Sequence, residues 1–119
     1  VKLRLGKLLE PVVDNIDILV SNPPYIRKDR LDFLQDEVLR EPRMALDGGE
    51  DGLILIKELL SQAREKMAGT SVILFEIDSD QGIEAVKISK RYFPYGKVTV
   101  LNDLNNDQRA VLIELDTFY

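Results

Sequence analysis

Asn22-Pro23-Pro24-Tyr25 is the stretch whose residue types and order could do chemistry. Two consecutive prolines fix their own φ angles, so the chain is stiff there and its carbonyls point in set directions. Pro23 supplies a carbonyl but no N–H, and the Asn22 side-chain carbonyl is a second acceptor beside it. Two such acceptors can hold both hydrogens of a planar –NH₂ group, and the ring of Tyr25 can stack on its plane. That geometry suits reaction at a nitrogen that is not basic, a side-chain carboxamide or an exocyclic amine. The acceptors orient the nitrogen, disperse the charge it acquires and aim its open face at an electrophile. A Pro-Pro pair can also do no more than end a strand in a tight turn. The order Asn-Pro-Pro-aromatic, directly after the apolar run Ile16-Asp17-Ile18-Leu19-Val20, favours the chemical reading.

Composition narrows the alternatives. The chain has no histidine and no cysteine, which removes zinc sites of the Cys/His type, thiol nucleophiles and any Ser-His-Asp arrangement within it. No metal site is expected. With 16 Lys+Arg against 21 Asp+Glu the net charge is −5, which argues against the broad basic face of a nucleic-acid binder. No apolar run approaches the ~20 residues of a membrane span, so no membrane partner is expected, and the cytoplasm is the expected compartment. At 119 residues the chain reads as one domain, 1–119, and its start at Val1 in a strand-like pattern reads as part of something longer.

Several elements must position that turn. Val1–Leu5 alternates apolar and basic residues with a period of two, which predicts a half-buried strand. Ile16–Val20 predicts a second strand, ended by Pro23 and Pro24, which cannot continue a central ladder. Leu31, Leu34 and Val38 fall at helical spacing before Pro42. Leu53, Ile56, Leu60, Ala63 and Met67 predict a long amphipathic helix, with Gly69 as its left-handed cap. Val72–Ile77 is a continuous apolar run of strand length. Ser79 is placed to cap a helix carrying Ile83, Val86 and Tyr92, closed by Pro94 and Gly96. Lys97–Leu101 and Arg109–Leu115 are the last two strands, joined by an Asn/Asp-rich turn. The alternation predicts an α/β fold, a mostly parallel sheet with a terminal antiparallel strand pair. In such sheets ligands bind outside the carboxyl ends of the strands, which directs attention to Ser21–Tyr25, to Asp78-Ser79 and to Gly6-Lys7.

Asn-Pro-Pro-Tyr after an Asp-Ile-Leu-Val-Ser strand resembles the signature of class I S-adenosylmethionine-dependent methyltransferases acting on planar nitrogens. The string Ile18–Ile26, together with Glu41-Pro42-Arg43-Met44-Ala45-Leu46-Asp47-Gly48-Gly49-Glu50-Asp51-Gly52-Leu53, is similar to the HemK/PrmC family, the peptide chain release factor N5-glutamine methyltransferases. The resemblance runs from Val1 to about Leu115. It implies a Rossmann-like class I methyltransferase fold and methyl transfer from S-adenosylmethionine to the glutamine amide of a Gly-Gly-Gln motif, with a release factor as partner. By the same resemblance Asn22 is the side-chain acceptor facing substrate and cofactor, Pro23 the backbone acceptor, and Pro24 and Tyr25 shape the substrate site.

The departures from the family pattern are specific. The family carries an acidic residue after its third strand, near the cofactor's adenine, where this chain has Lys7. The pattern Glu-Ile-Gly-x-x-Gln stands here as Glu76-Ile77-Asp78-Ser79-Asp80-Gln81, and Asn106 replaces a usual glycine, a mild change because Asn tolerates the left-handed region. A buried Glu76 would need a basic partner and would be structural. The glycine-rich cofactor loop of the family belongs upstream of the region matching Val1. The chain therefore reads as the C-terminal part of a catalytic domain, inactive by itself, with an unpaired edge on the Ile16–Val20 strand through which it can self-associate. The competing functions are an adenine-N6 nucleic-acid methyltransferase, a ribosomal-protein glutamine methyltransferase and a non-catalytic protein-binding domain.

Overall fold

A computed structural model describes residues 1–13, 15–23 and 53–116. The elements run β1 (Ile16–Ser21), α1 (Ile54–Ala63), β2 (Met67–Glu76), α2 (Gly82–Tyr92), β3 (Lys97–Asn102) and β4 (Gln108–Leu115). The predicted helix around Leu31–Val38 lies outside the described residues, as do Pro24 and Tyr25.

The four strands form one mixed sheet in the order β1-β2-β4-β3. β1 and β2 are parallel neighbours, while β4 runs antiparallel to both β2 and β3. Three strands thus share one direction and β4 is the reversed strand between two of them, the predicted α/β arrangement with its terminal antiparallel pair. Register makes the two faces unequal. Leu19, Ile73, Ile113 and Val98 form one row across the sheet, and Ser21, Phe75, Val111 and Val100 the next. These rows join Ile56, Leu59, Leu60 and Ala63 of α1 and Ala85 and Ile88 of α2 in one core, so both helices cover the same face. The alternate rows, Ile18-Val72-Glu114-Lys97 and Val20-Leu74-Leu112-Thr99, lie on the opposite face, where Ile18 and Val20 are 71% and 68% exposed.

Four local expectations are corrected. Val1–Leu5 is not a strand: its residues are exposed and belong to no ladder of the described sheet, because a period-two segment needs a neighbouring strand. α1 stops at Ala63 instead of continuing to Met67. The Lys66 carbonyl accepts the Ile16 amide at 2.7 Å, and the Lys66 ammonium caps the carbonyls of Leu9 and Glu10. Met67 is thereby drawn into β2, and Gly69 lies inside that strand instead of capping a helix. At α2 it is Gln81, not Ser79, that occupies the N-cap position. The core side of α2 is Ala85, Ile88 and Ser89, with Ile83 72% exposed, because the helix begins two residues later than the serine implied and its stripe is turned accordingly. No described helix is long and apolar enough to cross a membrane.

Leu60 is fully buried between the helices and the sheet. Leu60→Ala is expected to cost about 2–5 kcal/mol, measured as a lower urea midpoint at unchanged slope. Ile83→Gln, on the solvent side of α2, is expected to stay within about 0.5 kcal/mol of the parent in the same assay.

Candidate active-site edge

Because β1, β2 and β3 point the same way, their carboxyl ends meet along one edge of the sheet. Ser21 is the last residue of β1 and pairs with Phe75, one residue before the end of β2. This register places Asn22 and Pro23 beside the Ile77–Gln81 turn that follows β2. Asn22 is exposed and has no hydrogen-bond partner among the described residues, whereas Pro23 is buried. Asn22 thus lies at the surface beside a proline seated in the protein.

The neighbouring turn is held by a residue that pattern reading did not single out. Gln81 is 1% exposed. Its side-chain oxygen accepts the Asp78 amide at 2.9 Å, and its own amide donates to the Asp78 carbonyl at 3.0 Å. The Asp78 carboxylate in turn accepts the Ser79 amide at 2.8 Å. A polar side chain is tolerated inside because its acceptor is used, and the result is a closed turn directly at the edge. Gly82 follows it and lies under Gln108 at the start of β4, where a Cβ would come within 2.0 Å of the Gln108 side-chain oxygen. The only sequence signal for Gln81 was its place in the string Glu76–Gln81.

The last loop at this edge joins β3 to β4. Asn106 takes φ 64°, the left-handed conformation anticipated for it. The Asp103 carboxylate accepts the Asn105 and Asp107 amides and pairs with the Arg109 guanidinium at 3.0 Å. The Asp107 amide first, then Arg109, holds the Asp103 carboxyl below its ordinary value.

Two other expectations change. Glu76 is exposed, so it needs no buried basic partner. Gly6-Lys7 does not end a strand: it opens a turn docked on α1, where Lys7 pairs with Glu58 at 3.0 Å and the Leu9 amide donates to Gln62 at 2.7 Å. Gly6 is required there, since a Cβ would meet the Pro11 ring at 2.7 Å. A cleft of about 480 Å³ is lined by Asp17, Thr70, Ser71, Lys97 and Glu114 among others. It sits at the opposite, amino ends of the strands, and neither Asn22 nor Pro23 lines it.

Arg109→Ala is expected to raise the Asp103 pKa toward its ordinary 3.8, read by carboxyl-carbon NMR titration. A carboxyl depressed in the folded state stabilises above its unfolded pKa and loses that contribution as pH falls through the folded pKa. The variant's stability is therefore expected to fall less steeply than the parent's below about pH 4.

With the geometry in view, comparison with known proteins is informative. No family model matches the sequence. The release factor glutamine methyltransferase of Bacillus cereus is 33% identical over 115 residues, covering 93% of this chain and 41% of that protein. That of Clostridium acetobutylicum is 41% identical over 92 residues, 74% of this chain and 32% of that protein. That of Thermosynechococcus vestitus is 33% identical over 118 residues, 96% and 40% of the two. Among solved structures, a chain of the E. cuniculi Mtq2–Trm112 complex, responsible for methylation of the eRF1 translation termination factor, superimposes with a TM-score of 0.59 at 13% identity. The match covers 93% of this chain and 58% of that one, and it establishes a methyltransferase fold. By sequence the chain is a relative of the release factor glutamine methyltransferases, and it spans about two fifths of the length of the Bacillus cereus and Thermosynechococcus vestitus proteins.

Proposed function

We propose that the protein to which these residues belong transfers a methyl group from S-adenosylmethionine to the side-chain amide nitrogen of a glutamine, the glutamine of a Gly-Gly-Gln motif in a peptide chain release factor. The observation that carries this reading is the exposed Asn22 beside the buried Pro23, at the carboxyl edge of the sheet, in a chain whose relatives bear that activity in their name. The eRF1 methylation ascribed to the structural neighbour agrees with a termination factor as partner.

In this role the Asn22 side-chain carbonyl accepts one N–H of the substrate carboxamide and the Pro23 carbonyl the other. Pro24 and Tyr25 complete the wall against which the amide plane lies. A primary amide nitrogen is a poor nucleophile because its lone pair is delocalised. Fixing both hydrogens sets its plane and leaves one face open. Positive charge grows on the nitrogen as its bond to the methyl forms, and two fixed oxygens stabilise that charge more than they stabilise the neutral amide. The surplus proton then leaves to water. The donor, when bound, contributes an electrophilic methyl on a cationic sulfur. Among the described residues Asn22 is suited to face that methyl, and no glycine-rich turn follows a strand at this edge to cradle an adenosine.

In the full-length protein, Asn22→Ala is expected to lower kcat on the order of 100-fold with a smaller change in KM, assayed with labelled methyl donor and a release factor. Retained turnover in the variant would remove the acceptor role. Label delivered to DNA or RNA instead of the release factor would move the activity to an exocyclic amine, and label on a ribosomal protein alone would change the substrate.

A further inference from the structure

The Pro23 carbonyl can accept a substrate N–H only if the protein leaves it open, and the sheet itself holds a donor that would close it. Successive residues of a strand turn their N–H and C=O groups to opposite sides. The Ile77 amide donates to the Arg109 carbonyl of β4 at 2.9 Å, so the residues on either side of it, Glu76 and Asp78, turn theirs toward β1. Each such residue of a parallel pair bonds the partners before and after the one it lies opposite. With Ser21 opposite Phe75, the last two rungs of the ladder would then run from residue 23 to the Glu76 carbonyl and from the Asp78 N–H to the Pro23 carbonyl.

Neither rung is made. Proline has no N–H, which cancels the first. In the second, the Asp78 N–H donates to the Gln81 side-chain oxygen at 2.9 Å instead, and the Asp78 carbonyl accepts the Gln81 amide at 3.0 Å. One residue thus takes up both backbone groups that Asp78 would turn toward β1. Gln81 is 1% exposed, so its oxygen has no bulk water to turn to, and an unmet acceptor at that depth is costly. No described residue donates to the Pro23 carbonyl.

We propose that Gln81 is a positioning residue for the methyl transfer: by taking the Asp78 N–H it keeps the Pro23 carbonyl open for the substrate carboxamide. The inference rests on the acceptor role proposed above for Pro23. An apolar side chain at position 81 would release the Asp78 N–H to the nearest carbonyl, and the site would close on itself. A substrate amide would then have to displace a donor already in place. The oxygen it needs would be shared at the moment when positive charge grows on the nitrogen.

The test uses the full-length protein with isotope-labelled prolines and aspartates. A through-hydrogen-bond NMR coupling between the Asp78 nitrogen and the Pro23 carbonyl carbon is expected to be absent in the parent and present in Gln81→Leu. The same substitution is expected to lower kcat at least about tenfold with a smaller change in KM, assayed with labelled methyl donor and a release factor. Adding Asp78→Pro removes the competing N–H and is expected to bring kcat back to within about threefold of the parent, whereas a merely structural role for Gln81 predicts a further loss. Gln81→Met serves the same comparison should the leucine variant not fold. A coupling already present in the parent would overturn the inference, as would a folded variant without the side-chain oxygen that keeps full turnover. The coupling is read without donor or release factor. An open Pro23 carbonyl in a parent that leaves the release factor unmethylated would therefore refute the proposed function, and the positioning role with it.

Discussion

The parallel pairing of β1 with β2 is the constraint on which the rest of this structure depends. It fixes Ser21 beside Phe75, and so decides that the turn after β1 emerges next to the turn after β2 and not at the far end of the sheet. Because the side-chain period of a strand is two, the same pairing decides that Leu19 enters the core while Ile18 and Val20 face out. A slip of one residue would bury the pair Ile18 and Val20, expel Leu19 and carry Asn22 away from the Asp78–Gln81 turn. The pairing has its own lock at the amino end, where the Ile16 amide reaches the Lys66 carbonyl. That one contact also terminates α1, so helix length and strand register are settled together.

Much of this was legible in the residues, and the parts that were not share a physical cause. The apolar runs at Ile16–Val20 and Val72–Ile77 announce strands because so many adjacent apolar side chains need cover that a helix of that length would not give. Asn106 announced its left-handed turn through the tolerance of its short side chain for that conformation. Val1–Leu5 has an equally good local pattern and is not a strand, since alternation states what a segment would bury but not whether a neighbour is present. The end of α1 was misplaced for a related reason: the Lys66 carbonyl is claimed by a residue fifty positions earlier in the chain, which no local window contains. The stripe on α2 was read from Ile83, yet its cap lies at Gln81, and moving a helix start by two residues turns its face by about 200°.

The candidate site was legible to the extent that it rests on residue chemistry. Asn-Pro-Pro specifies stiffness and two acceptors without any knowledge of the fold, and the placement of Asn22 outside and Pro23 inside is compatible with that specification. What sequence could not convey was the support. Gln81 looks like one more polar residue in an acidic turn, yet it is buried, and its neighbour Gly82 packs closely against Gln108, far along the chain.

The one-sided covering of the sheet explains how rigidity and incompleteness coexist in this chain. Both helices close the Leu19–Ile73–Ile113 face, so β1 and β2 are anchored by a continuous core and the turn after β1 springs from a firm base. The opposite face and the β1 edge carry apolar side chains that the described residues leave in water. Burying such groups is favourable at roughly 25 cal/mol per Å², so a surface of this kind persists in isolation only until it meets something of matching pattern. The turn after β1 can therefore keep its shape while the opposite face of the sheet keeps apolar side chains at its surface among the described residues.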